Sequence, residues 1–183
     1  YAEAHYELGI ILFEKEEYKL AKHHFLKVIQ IDPDFMKAYF YLALLYKELK
    51  DNKKSRDFFI KAIELNPNFA DSYFHYGLLL VSMEEYEDAK IYLEKTTDID
   101  QNHYQAYFHL AVLLIDPENY EKAKQNYLTA IDIKSDFAEA HFYLGKLLLA
   151  GLQNDKNGIL IKNPEYDLAI THFKQTIKIK KDF

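Results

Sequence analysis

Apolar positions in this chain recur on two scales. Locally they follow the spacing of one helical face, and across the chain the whole pattern returns every 34 residues. A shift of 34 residues lays Gly9, Ala43, Gly77, Ala111 and Gly145 over one another, and likewise Tyr18, Asn52, Tyr86 and Tyr120. With Ala2 as repeat position one, the units start at Ala2, Met36, Ala70, Tyr104 and Ala138. They run over 2–35, 36–69, 70–103, 104–137 and 138–183, the last lengthened by twelve residues near 152–165. Residues 1–183 are therefore predicted to form a single array. Its two ends fall at the same phase, where Phe35, Phe69, His103, Phe137 and Phe183 stand, which predicts a piece of a longer array.

Each unit reads as two helices, A and B. Position eight of helix A is always glycine or alanine, and position 20 of helix B is Ala21, Ser55, Ala89, Ala123 or Ala169. Small side chains at both places let two helix backbones approach closely, as ridge-into-groove packing requires. Large apolar residues are predicted to fill the core around that contact. They are Leu8, Leu42, Tyr76, Leu110 and Leu144 at position seven, and Phe25, Phe59, Leu93, Tyr127 and Phe173 at position 24. Asp32-Pro33 and Asn66-Pro67 end helix B, because proline cannot continue a helix and pushes the preceding residue out of the helical region.

Gly/Ala at position eight, Ala at 20, an aromatic at 24 and Pro at 32 together resemble the tetratricopeptide repeat family. The first unit carries the motif most fully, with Leu8, Gly9, Leu12, Tyr18, Ala21, Phe25 and Pro33 in place. Departures are His5, Tyr39, Tyr73, Tyr107 and His141 at the family's usual tryptophan position, weaker matches at Asn52 and Ser55, and Gln101, Ser135 and Lys181 in place of proline. The resemblance implies an all-α fold: a right-handed α-solenoid of antiparallel helix-turn-helix repeats, an α/α superhelix.

Stacked hairpins cover most of each helix A and leave one stripe free. At about 100° of rotation per residue, positions 2, 5, 6, 9 and 13 share that sector. In the resembled family these positions line the concave groove. Position five reads Tyr6, Phe40, Phe74, Phe108 and Phe142, and position nine reads Ile10, Leu44, Leu78, Val112 and Lys146. Position six adds Glu7, Tyr41, His75, His109 and Tyr143. Glu3, Asp71, Glu139, Glu14, Glu48 and Asp116 form an acidic rim against the single cation Lys37. Aromatic and aliphatic anchors on such a face suit an extended peptide or an amphipathic helix. The predicted partner is thus a protein or peptide with apolar anchors and basic residues. The alternative for the Phe row is stacking between repeats, which solvent exposure decides.

Two groove types of the family fit less well. Carboxylate-clamp modules use lysine at position five and asparagine at position nine, where this chain has aromatics and aliphatics. O-linked N-acetylglucosamine transferase arrays line their groove with asparagines, and position six holds none here.

Composition narrows the function further. A net charge of −6 and a pI near 5.8 argue against nucleic acid, whose sequence-independent binding depends on clustered Lys and Arg. No apolar run reaches the roughly 18 residues of a membrane helix. The absence of cysteine removes disulfides, thiolate metal sites and cysteine nucleophiles. No HExxH motif, nucleophile elbow or phosphate-binding glycine loop occurs, so no catalytic residue, metal ligand or cofactor is assigned. His75 and His109 are read as groove-lining aromatics and not as a metal pair, and Glu16-Glu17 and Glu84-Glu85 as solvated turns. The inserted segment carries loop residues together with Ile159, Leu160 and Ile161. It is read as a tolerated insertion, with a partner contact as the alternative.

The leading expectation is a non-enzymatic interaction scaffold. The alternatives are a substrate-recognition or regulatory region of a larger enzyme or sensor, and an array that self-associates through uncapped ends.

Overall fold

A computed structural model describes residues 1–114, 116–150 and 164–181. Among these residues there are ten α-helices and no strand. The helices are α1 (Ala2–Glu14), α2 (Tyr18–Ile31), α3 (Met36–Glu48), α4 (Asn52–Leu65), α5 (Ala70–Ser82), α6 (Tyr86–Ile99), α7 (Tyr104–Leu113), α8 (Tyr120–Ile133), α9 (Ala138–Ala150) and α10 (Pro164–Lys181). The A helices of the five repeats begin at Ala2, Met36, Ala70, Tyr104 and Ala138. The fold is an α-solenoid of helix-turn-helix repeats. The apolar residues of the insertion lie outside the described residues.

The chain divides into two compact units, Tyr1–Ile99 with α1 to α6 and Asp100–Phe183 with α7 to α10. In the first, Phe25 and Val28 of α2 pack with Ala38, Leu42 and Leu45 of α3. In the second, Ala111, Tyr127, Leu144, Leu148 and Ala169 form the core. Two of the predicted core residues are not buried: Phe173 is half-buried, and Leu8 is exposed. It is 42% exposed where its equivalent Leu42 is at 0%. Position seven is covered by helix B of the preceding repeat, as Phe59 of α4 stacks on Tyr76 of α5, and no described helix precedes α1.

Helix B ends as the sequence predicts. Asp32 and Asn66 are extended, and their side chains accept hydrogen bonds from the backbone N–H of Asp34 and Asn68, both at 3.1 Å. The third repeat has lost its proline, yet α6 still stops at Ile99. There Asp100 makes the same side-chain turn, accepting from Asn102 N–H at 3.0 Å.

The turn between helices A and B holds a feature that was not anticipated. Glu16, Lys50 and Glu84, all at position 15, sit in the left-handed region with φ of 60°, 60° and 63°. Around Glu16 the N–H groups of Glu16 and Glu17 bond the carbonyls of Phe13 and Leu12, the paired bonds of a Schellman motif. Glycine adopts this conformation without strain, whereas other L-residues are penalised by about 1 kcal/mol. Each of Glu16→Gly, Lys50→Gly and Glu84→Gly should therefore raise stability by about 1 kcal/mol in denaturant titration, and the three gains should add.

The fourth repeat departs from this plan. Pro117 stands at position 14, its predecessor Asp116 is driven out of the helical region, and α7 stops at Leu113. Asp116 is therefore a bend residue, and its expected place on a helical rim is corrected.

Candidate partner-binding face

Exposure divides the predicted groove residues by repeat position. In the first compact unit Tyr6, Phe40 and Phe74 at position five are only 8%, 7% and 6% exposed. The reading of position five as a solvent-facing row is corrected for these three. Tyr6 packs on Phe35 at the end of its own repeat and on Tyr41 of the next, with ring centroids 5.0 and 5.8 Å apart. Phe40 does the same with Phe69 and His75 at 5.3 and 5.5 Å. An aromatic at position five thus meets one at position 34 and one at position six, and that three-way packing ties consecutive hairpins together.

Above this layer lie positions six and nine. Tyr41, His75, Leu44 and Leu78 are half-buried, while Leu42, Leu45, Leu79 and Leu80 on the same helices are buried. Leu44 and Leu78 therefore occupy the edge where the helix-A stripe emerges from the packing. Acidic groups surround it. Burial, followed by the charges of Glu14, Glu7 and Asp71, holds the Tyr41 phenol above its usual range. Tyr6 is pushed up to about 12, again mainly by burial. The three carboxylates are exposed and come from α1 and α5, on either side of Tyr41 in α3. The potential over this stripe is negative.

The second compact unit repeats the theme with different exposure. Phe108 is half-buried, packing on Phe137 and Tyr143 at 5.1 and 5.5 Å. His109 lies edge-on to Phe108 at 5.2 Å, and Val112 is half-buried. Phe142 and Tyr143 are 41% and 39% exposed, and Lys146 Nζ lies over both rings at 5.8 and 5.7 Å. The fifth repeat thus presents a cation at position nine where the others present aliphatics. Glu139, counted with the acidic rim, is engaged by Lys180 of α10 at 2.9 Å, which holds its carboxyl below the usual range.

One ion pair recurs between repeats and was missed in the sequence. Arg56 meets Glu85 at 2.5 Å in the first unit, and Lys124 meets Glu165 at 2.6 Å in the second. Both join position 21 of one repeat to position 16 of the next. The signal was available as a cation and a glutamate at a fixed offset, but the twelve-residue insertion hides the second instance from a fixed 34-residue shift.

Among the described residues no group of three or more His, Asp or Glu side chains is placed to hold a metal ion. No described helix is long and apolar enough to cross a membrane.

Tetratricopeptide repeat models match residues 2–35, 37–69 and 58–91, and a TPR repeat model matches 113–150. No curated protein matches the chain. Among solved structures, a crystal structure of MamA is 19% identical, covers 95% of each chain and superposes with a TM-score of 0.77. PilF of Pseudomonas aeruginosa is 18% identical over 97% of this chain and 75% of its own, with a TM-score of 0.82. YrrB, described as a TPR protein with an unusual peptide-binding site, is 19% identical over 100% of this chain and 88% of its own, with a TM-score of 0.72. At these identities the neighbours speak to the fold. With repeat models matching in both compact units and helix starts in phase with the repeat, the chain belongs to the tetratricopeptide repeat family.

Proposed function

We propose that this protein is an interaction scaffold, without catalysis of its own, that binds a peptide or an amphipathic helix along the inner stripe of its A helices. The general scaffold role follows from the family and its repeat fold. The finer reading rests on one observation: Leu44 and Leu78 emerge half-exposed at the same repeat position of consecutive A helices, beside Tyr41 and His75 and under a negative potential. The proposed ligand inserts apolar side chains against Leu44 and Leu78 and sets lysine or arginine near Glu7, Glu14 and Asp71. Tyr6, Phe40 and Phe74 form the packed floor beneath it. Phe108, His109, Val112, Phe142 and Tyr143 are proposed as the corresponding elements of the second compact unit. YrrB's described peptide-binding site is a precedent for peptide recognition on this fold.

The test uses a displayed peptide library selected against the whole chain. Selection should enrich sequences that combine apolar residues with Lys or Arg. Leu44→Glu with Leu78→Glu should abolish their binding while the helical circular dichroism signal is kept, since both sites are already half-exposed. Retained binding in that folded variant would move the site elsewhere.

A further inference from the structure

Two repeats place a histidine pair at the same location, position four of helix A facing position 23 of helix B. In the first repeat His5 Nδ1 lies 2.9 Å from His24 Nδ1, and in the fifth His141 Nδ1 lies 2.8 Å from His172 Nδ1. The second and third repeats hold Tyr39 with Phe58 and Tyr73 with Tyr92 at these positions, each with ring centroids 6.3 Å apart. An ordinary aromatic contact thus fills the site when no histidine is present.

In the fifth repeat the surroundings settle where the protons sit. His141 Nε2 lies 3.1 Å from the carbonyl oxygen of Ser135, which can only accept. Nε2 therefore carries the proton, and in a neutral ring Nδ1 is left as a bare acceptor. His172 Nδ1 must then be the donor, so His172 Nε2 is bare. That nitrogen is buried and has no hydrogen-bond partner. A further proton has two places to go. On His141 Nδ1 it would set two N–H groups against each other across 2.8 Å. On His172 Nε2 it would create a buried N–H without an acceptor, together with an unpaired buried charge. Either breaks the arrangement that holds the helices.

We propose that the His141–His172 pair is an acid-sensitive latch, which ties α10 to α9 while both rings are neutral and one N–H joins their Nδ1 atoms, and frees α10 when the pair takes up one further proton.

The neighbouring charges leave this chemistry to the pair. On α9 and α10, Glu139 and Lys180 engage one another at 2.9 Å, and Lys146 lies over Phe142 and Tyr143. In the turn before α9, Lys134 reaches the Tyr104 hydroxyl at 3.3 Å, and Asp136 is exposed. On α8, Lys124 is engaged by Glu165, and Asp132 is exposed; on α10, Asp167, Lys174 and Lys178 are exposed. Burial, and then the charge of His141, push His172 below the ordinary histidine range, and no other titratable group contributes. The sign follows. An unfolded histidine titrates near 6.5, and the folded one lies lower. Below about pH 6.5 the unfolded state therefore binds more protons, and the stability held above that pH is lost as pH falls. Release of α10 would uncover the surface of α9 around Gly145, against which Phe173 packs. His5 and His24 share the geometry but are only half-buried and have His23 alongside.

Amide hydrogen exchange on the whole chain tests the latch, with protection factors corrected for the intrinsic pH dependence of exchange. Between pH 7.5 and 5, protection in α10 should fall about tenfold or more, the effect of one proton over about a pH unit, while α4 to α6 keep theirs. The variant His141→Tyr with His172→Phe copies the Tyr39–Phe58 pair and should hold α10 protection constant over the same range. His5→Tyr with His24→Phe should leave the α10 response intact. A flat α10 profile in the unmodified chain, or an equal fall in the His141/His172 variant, would overturn the proposal. Should that variant fail to fold, ¹⁵N titration of the unmodified chain decides: a His172 ring titrating at or above the ordinary histidine value would equally overturn it.

Discussion

Phe59→Ala should cost the protein about 3–5 kcal/mol, the range for emptying the site of a fully buried phenylalanine. Phe59 has no exposed surface. It stacks on Tyr76 of the next repeat with centroids 6.0 Å apart and meets Phe40 of its own repeat edge-on at 6.2 Å. The ring therefore sits within one hairpin and between two, and neither helix can collapse into the space without disturbing the other contact. Loss of that magnitude is comparable with the whole stability of many small domains. Chemical denaturation followed by circular dichroism should show a transition moved to much lower denaturant, or partial unfolding in buffer. A shift below about 1 kcal/mol would mean that the repeats relax into the cavity and that position 24 is not the keystone of the hairpin.

Gly9→Val tests the opposite fault, overpacking. A Cβ on Gly9 would lie 2.6 Å from Phe25 Cε1. Phe25 is fully buried and stacked on Tyr41 at 5.4 Å, so it cannot swing aside. Overfilling a packed core costs about 1–3 kcal/mol, more than the few tenths that valine gains over glycine in helix propensity. The expected result is a destabilisation of about 1–3 kcal/mol, partly relieved when Phe25→Leu is added, because the two side chains then no longer compete for one space. A double-mutant cycle reads that coupling directly. The second repeat carries a methyl group at the equivalent position, Ala43.

The fold was legible because it is written five times. Small residues at positions eight and 20 marked the two helices of each unit, and an aspartate or asparagine before proline marked the end of helix B in the first two repeats. What escaped was of two kinds. Local backbone geometry was one: nothing in the residue types Glu16, Lys50 and Glu84 announces a positive φ, because glycine is the usual marker and it is absent there. Pairing across the hairpin was the other. His5 stands at the family's tryptophan position and was not paired with His24, although positions four and 23 change together, histidine with histidine and aromatic with aromatic, in four of the five repeats.

The proposed binding face shows the same boundary. Helical geometry placed positions five, six and nine in one sector, but angle alone cannot say which of three neighbours is covered by the adjoining hairpin. Phe40 turned out to lie beneath His75, while Leu44 stayed at the edge. Burial of the position-five ring follows from its length and from the aromatic at position 34, a partner 29 positions further along the same repeat.

Ligand binding along the A helices is tested most directly by NMR mapping of a selected peptide, carrying apolar and basic residues, on the ¹⁵N-labelled chain. Chemical-shift changes should concentrate on α1, α3 and α5 around Tyr41, Leu44, His75 and Leu78, with α2, α4 and α6 little affected. Changes confined to the B helices, or none at saturating peptide, would contradict it.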